Sequence, residues 1–228
     1  MKVLGLTGSI GMGKSTAAGM LRRLGLPVHD ADAAVHRLLA RGGAAVPAID
    51  AAFPGVVRDG AVDRLALGSR VFGDPEALAR LEAIVHPLVR RATARFLAAC
   101  RRRRVKLAVL DVPLLLEGSG HERCDLVAVV SAPERVQRQR VMARPGMTES
   151  RLEAILAKQM PDAEKRRRAD AVIPTGLGLA VTMRHLVRLV RKLRRNGEQA
   201  CARSCSTRRR RGWTRRPATG SSRSVASS

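Results

Sequence analysis

Apolar residues come in two rhythms along the chain. Residues 2–7 (KVLGLT), 105–112 (VKLAVLDV) and 125–131 (DLVAVVS) are short, nearly continuous apolar runs. That pattern predicts strands buried on both faces of a parallel sheet. Two shorter strands are predicted within LPVHDAD (26–32) and DAVI (170–173). Between them the apolar spacing lengthens to that of helices, over 14–24, 33–41, 63–103, 148–159, 161–169 and 178–195. The longest run carries Leu65, Leu67, Val71, Leu78, Leu81, Ile84, Val85 and Leu88. His86-Pro87 is expected to break or kink it, because proline donates no amide hydrogen. Residues 41–63 mix short helical turns with Gly and Pro. Ser131 and Glu134 have capping-box spacing and predict a helix opening there and running through Ala143. Strands alternating with helices predict an α/β fold with a parallel sheet covered on both faces.

Composition narrows the partners. The chain has 228 residues with 45% apolar side chains, enough for one sizeable domain. Only 2% are aromatic and none is Tyr, which argues against a base-stacking nucleic-acid platform. The net charge is +24. Residues 196–228 hold eight Arg and one Glu, so they supply +7 and leave +17 on the rest. Such a surface favours anions, whether nucleic acid or a polyphosphate small molecule. The tail 196–228 has almost no aliphatic residues and is expected to be disordered, which sets a domain boundary at 195. Cys100, Cys124, Cys201 and Cys205 lack paired spacing and read as reduced thiols. Residue 2 already opens a predicted strand, so no signal peptide is expected. No apolar run approaches the ~18 residues of a membrane span. A cytoplasmic protein without a membrane partner is expected.

The chemistry starts at GSIGMGKS. Gly8, Gly13, Lys14 and Ser15 fit G-x-x-x-x-G-K-[ST], between a predicted strand and a predicted helix. Glycines let successive amides point inward at phosphate oxygens, and the helix start adds its positive dipole end. Lys14 is expected on the β- and γ-phosphates, and Ser15 on Mg²⁺. The nucleotide-binding loop is read as Gly8, Ser9, Gly11, Met12, Gly13, Lys14, Ser15 and Thr16. The guanine-reading N-K-x-D pattern is absent, and the one asparagine is Asn196, so ATP is the expected nucleotide. Asp111 ends a strand and is a candidate for Mg²⁺, directly or through water, or is an ordinary loop acid. Asp30 and Asp32 end another strand beside the loop. One of them can take the proton of an attacking hydroxyl while the other caps a helix; Asp32 is the favoured base. Arg140 and Arg144 are four apart on one helix face, a spacing suited to clamping phosphate. His86 reads equally as a helix-end histidine or a ligand.

The motifs GLTGSIGMGKST (5–16), DAD (30–32), HP (86–87), DVPLLLEG (111–118), QRQRVMAR (137–144) and KQMPDAEKRRRADAVI (158–173) together resemble the dephospho-CoA kinase family, from residue 3 to about 190. The resemblance implies a P-loop kinase core with a helical acceptor-binding insert over about 33–103 and an arginine-rich lid over about 137–168. It implies phosphorylation of the ribose 3′-hydroxyl of dephospho-CoA by ATP. Asp32 is then the general base. His86, Pro113, Leu114 and Glu117 belong to the acceptor region, and Arg140 and Arg144 are lid arginines. Ser9 stands where the family commonly has glycine, and Thr175 near where it usually has asparagine. Another P-loop nucleoside or nucleotide kinase remains an alternative, as does a nucleic-acid-binding protein. The basic runs 101–104, 165–168 and 208–211 motivate the latter, but they read as solvated faces, and no specific nucleic-acid partner is expected.

Overall fold

The computed structural model describes residues 1–209. Strand β1 (Lys2–Thr7) enters the glycine-rich turn and helix α1 (Lys14–Arg23) leaves it. Strand β2 (Val28–Asp30) runs directly into α2 (Ala31–Leu39). Then come α3 (Val46–Ala52), a hairpin of β3 (Val57–Arg58) and β4 (Ala61–Val62), α4 (Arg64–Val71) and the long α5 (Pro75–Arg102). The chain returns through β5 (Leu107–Asp111), a 3₁₀ turn (Ser119–Arg123) and β6 (Leu126–Ser131). Helices α6 (Glu134–Met142), α7 (Glu149–Ala157) and α8 (Asp162–Arg168) precede β7 (Ala171–Pro174) and α9 (Leu179–Arg209).

Five strands form one sheet in the order β2-β5-β1-β6-β7, all pairs parallel. Successive strand residues face opposite sides, so an unbroken apolar run serves both. Leu4, Leu6 and Val109 pack with Leu21 of α1 and with Leu186 and Leu193 of α9. Val3, Ala108 and Leu110 face the other way, onto Leu97 of α5. The insert has a core of its own. Leu39, Ile49, Phe53, Val62 and Leu67 cluster with Leu81, Ile84, Val85 and Leu88 of α5. His29 ties β2 to that helix: its ring stacks on Phe96 and its Nε2 lies 3.1 Å from Thr93 Oγ1. Burial lowers the His29 pKa, and nearby Arg37 adds to the effect. The register sets Asp30 opposite Asp111 and Leu6 opposite Asp111, so three strand ends meet at one edge. Open α/β sheets bind ligands at that edge.

Several local readings change. The helix over 63–103 is two helices, parted at Gly73 (φ 81°) and capped anew by Asp74, which accepts from Glu76 N and Ala77 N ahead of Pro75. Pro87 does not end α5, which runs through it. Pro87 and Ala83, four residues before it, are exposed, so the freed carbonyl meets water. Ser131 does not cap α6. It is the last residue of β6 and its hydroxyl donates to Asp162 at 2.7 Å, leaving Pro133 at the N-cap without a side-chain cap. The basic run 165–168 is not wholly solvated: Lys165 is fully buried. Helix α9 continues to Arg209, so position 195 falls inside it; residues 198–203 include Glu, Gln, Ala and Arg, all good helix formers. Residues 210–228, the rest of the expected tail, lie outside the described residues.

Candidate active site

The turn after β1 is shaped to leave amides free. Gly13 sits at φ 84° and is the N-cap of α1, with no side chain capping the helix and no acid in its first turn. A left-handed backbone there suits glycine, and the uncapped amides remain available to an anion. At Gly8 any β-carbon would lie 2.4 Å from Val130 Cγ2 and 2.8 Å from its carbonyl, so the loop can hug β6 only with glycine at this position.

A cavity of about 590 Å³ opens over this turn. It gathers Gly8, Ser9, Gly11, Gly13, Lys14, Ser15 and Thr16 from the loop, Asp32 from α2, Pro113 after β5, and Arg140 and Arg144 from the arm beyond β6. Asp30 and Asp32 divide their roles as the local geometry demands. Helix α2 starts at Ala31, so Asp30 is its N-cap and accepts from Ala33 N at 2.9 Å. Asp32 then falls in the first turn and lines the cavity; its carboxylate makes no hydrogen bond or ion pair among the described residues. Lys14 Nζ lies 2.7 Å from Asp111 Oδ1, at the end of β5. Asp111 is 2% exposed. Burial pushes its carboxyl up from the ordinary carboxylate range, against the opposing pull of Lys14. Arg140 lies across the loop, donating from Nη2 to Thr175 O at 2.6 Å and more weakly from Nη1 to Gly11 O at 3.4 Å.

Met12, His86, Leu114 and Glu117 do not line this cavity. Met12 is buried under the loop, where its Sδ accepts from Ala132 N at 3.1 Å. His86 lines a second cavity beside Ala31. The Leu114 side chain is exposed. Glu117 is a clamp: its Oε1 accepts from Met160 N at 3.1 Å and lies 2.8 Å from Lys165 Nζ. Lys165 is fully buried, and that ion contact lacks hydrogen-bond alignment. Glu117 is the only carboxylate paired with Lys165 among the described residues. Lys165→Ala is expected to lower unfolding free energy by about 3 kcal/mol, near the lower end for breaking a buried pair because Glu117 keeps some contact with water. Urea unfolding followed by circular dichroism checks this; a loss below about 1 kcal/mol would remove the clamp from the account.

The structure adds residues that local pattern did not single out for the site. Gln159 Oε1 accepts from Ile10 N at 3.1 Å, and Gln137 Nε2 donates to Ile10 O at 2.8 Å, so two glutamines clasp one residue of the loop from both sides. A signal existed for Gln137: it precedes Val141 by one helical turn, a polar residue on a buried face. Thr175 is a hub. Its Oγ1 donates to Met12 O at 2.7 Å, with Ser131 O at 3.2 Å and Arg140 Nη1 at 3.4 Å. A short hydroxyl thus holds the loop, the end of β6 and Arg140 together where asparagine was the expected family residue.

A parallel sheet whose central strand feeds an uncapped glycine-rich loop, faced by one unpaired carboxylate and by arginines from a following arm, defines a P-loop kinase of the small-molecule type. The family model for dephospho-CoA kinase matches residues 2–179. Dephospho-CoA kinase of Paramagnetospirillum magneticum is 74% identical over 166 residues, covering 73% of this chain and 78% of that one. That of Mesorhizobium japonicum is 59% identical over 194 residues, covering 85% and 98%. The crystal structure of TT1252 from Thermus thermophilus superimposes with a TM-score of 0.73 at 39% identity, covering 83% and 95%. The chain belongs to the dephospho-CoA kinase family and is a phosphotransferase of coenzyme A biosynthesis.

Proposed function

We propose that this site transfers the γ-phosphoryl group of ATP to the ribose 3′-hydroxyl of dephospho-CoA. The observation that carries the reading is the unpaired carboxylate of Asp32 in the same cavity as Lys14, Ser15 and Arg140. Loop amides and Lys14 bind the phosphates. Asp32 accepts the proton as the 3′-oxygen bonds to the γ-phosphorus, the bond to the β–γ bridging oxygen breaks, and ADP leaves. Arg140 and Arg144 face the charge that spreads over the transferring group. Residues 33–103 supply the acceptor side and residues 137–168 close over the nucleotide.

The donor set fits Mg²⁺: the Ser15 hydroxyl and the Asp111 carboxylate are hard oxygen donors, and Asp111 is held at a strand end with Lys14 as its ion-pair partner. When bound there with ATP, Mg²⁺ neutralises charge on the β- and γ-oxygens. Lys14 would leave Asp111 for the phosphates as that carboxylate turned to the ion. No helix among the described residues is long and apolar enough to cross a membrane, and a reaction drawing on ATP fits a cytoplasmic setting.

ADP release is the test. Dephospho-CoA is expected to support rapid release, and adenosine, AMP and pantetheine to support at most a few per cent of it, about a hundredfold discrimination. Equal rates with AMP or adenosine would replace this reading with that of a nucleotide or nucleoside kinase.

A further inference from the structure

The cavity that His86 lines contains no residue of the phosphate loop. It measures about 260 Å³ and adjoins the first at the start of α2 and just past β5. Ala31 and Val112 line it, and the next residue of each segment, Asp32 and Pro113, lines the first cavity. Its apolar wall is Leu110, Val112 and Leu115, and its cations are Arg90 of α5 and Arg123 of the 3₁₀ turn. A third cavity of about 580 Å³ shares Arg90, Thr93 and Arg123 with it and continues along α5, past Arg91 and Arg101. The path therefore leads away from Asp32 along one helix.

This groove gathers arginines and no acid against one apolar wall. Arg22, Arg58, Arg138 and Arg168 each lie beside a carboxylate. Arg90, Arg91, Arg101 and Arg123 have no carboxylate partner among the described residues, and neither cavity is lined by an acid. Guanidinium groups converging on a concave site without counter-charge repel one another unless an anion enters, and paired guanidinium forks match phosphate oxygens. The apolar wall behind them suits an uncharged, partly aliphatic chain.

We infer that Arg90 and Arg123 form the binding site for the 5′-diphosphate of the acceptor, with the uncharged arm beyond it lying along α5. The inference rests on the proposed function. An acceptor whose 3′-hydroxyl meets Asp32 carries its 5′-diphosphate on the far side of one ribose, which is the side on which Ala31 and Val112 open into the second cavity. The site thus selects a nucleoside diphosphate ester over a nucleoside, and it does so through groups that never touch ATP.

The experiment compares the full chain with Arg90→Gln, Arg123→Gln and the double variant, and with Arg90→Lys. Steady-state kinetics are measured with each substrate varied in turn, alongside calorimetric titration of dephospho-CoA without ATP. Each single glutamine variant is expected to raise the KM and the Kd for dephospho-CoA about tenfold, the double variant more, with kcat and the KM for ATP within about twofold. Arg90→Lys should recover part of the loss, since it keeps charge without the planar fork. An unchanged KM for ATP also reports an intact fold. Unchanged dephospho-CoA affinity in the double variant, with wild-type turnover present, would overturn the inference and leave the proposed function standing. Arginine-dependent dephospho-CoA binding without turnover would sustain the anion site and sink the proposed reaction. No dephospho-CoA binding by the wild-type chain would overturn both.

Discussion

Lys14→Ala is expected to reduce phosphoryl transfer by about 10³-fold or more, a rise of about 4 kcal/mol in the barrier. The ammonium group is the one side-chain cation within the loop itself, and its charge belongs on the β- and γ-oxygens in the transition state. Loss of activity alone would not separate chemistry from folding, because Lys14 is also the partner of Asp111. Removing it leaves a carboxylate that is 2% exposed without its cation, and an unpaired buried charge destabilises. The double variant Lys14→Ala/Asp111→Asn removes that charge and should regain stability while staying inactive. Chemical denaturation and turnover measured on the same samples decide the point. Near-wild-type turnover in folded Lys14→Ala would withdraw the loop from the mechanism. Activity that returned with stability in the double variant would make Lys14 a structural residue only.

Asp32→Asn is expected to lower kcat by about 10²–10⁴-fold while ATP affinity changes little. The amide keeps the shape of the side chain and loses the capacity to take a proton. The neighbouring acid supplies the control. Asp30 is a helix cap, and asparagine caps about as well as aspartate, so Asp30→Asn should be mild in both activity and stability. Asp30→Ala should reduce stability by about 1 kcal/mol and spare much of the activity. If Asp30→Asn were the crippling change and Asp32→Asn the mild one, the roles within the pair would be reversed. Single-turnover kinetics with ATP prebound separate the chemical step from nucleotide binding.

The two carboxylates also show where reading the chain stops. DAD beside a phosphate loop offers two candidates for a base, but which member is left free of the helix cap depends on the residue at which α2 begins. A shift of one or two positions, ordinary for a helix boundary, exchanges cap and base. Other misreadings have the same origin. Ser131 and Glu134 have the spacing of a cap, yet Ser131 is consumed by the last rung of β6 and by Asp162, thirty-one positions away. The run KRRR reads as a solvated face because the acids near it in sequence, Asp162 and Glu164, share its short polar helix; the acid that pairs with Lys165 is Glu117, from a different loop.

Local chemistry carries what the chain discloses by itself. The phosphate loop, its strand and its helix are one continuous segment, so spacing alone defines the anion site and, with the later motifs, the kinase family. The parallel sheet follows from apolar runs long enough to be buried on both faces. Tertiary structure decides the contacts that join remote segments: Gln137 and Gln159 on the Ile10 backbone, Thr175 on Met12 and Arg140, and the arginines of α5 and the 3₁₀ turn around one groove. A polar side chain does not announce its partner when that partner lies more than a hundred residues away. Only the packing of the sheet and its helices, driven by apolar burial that is indifferent to these polar groups, brings the two within hydrogen-bond reach.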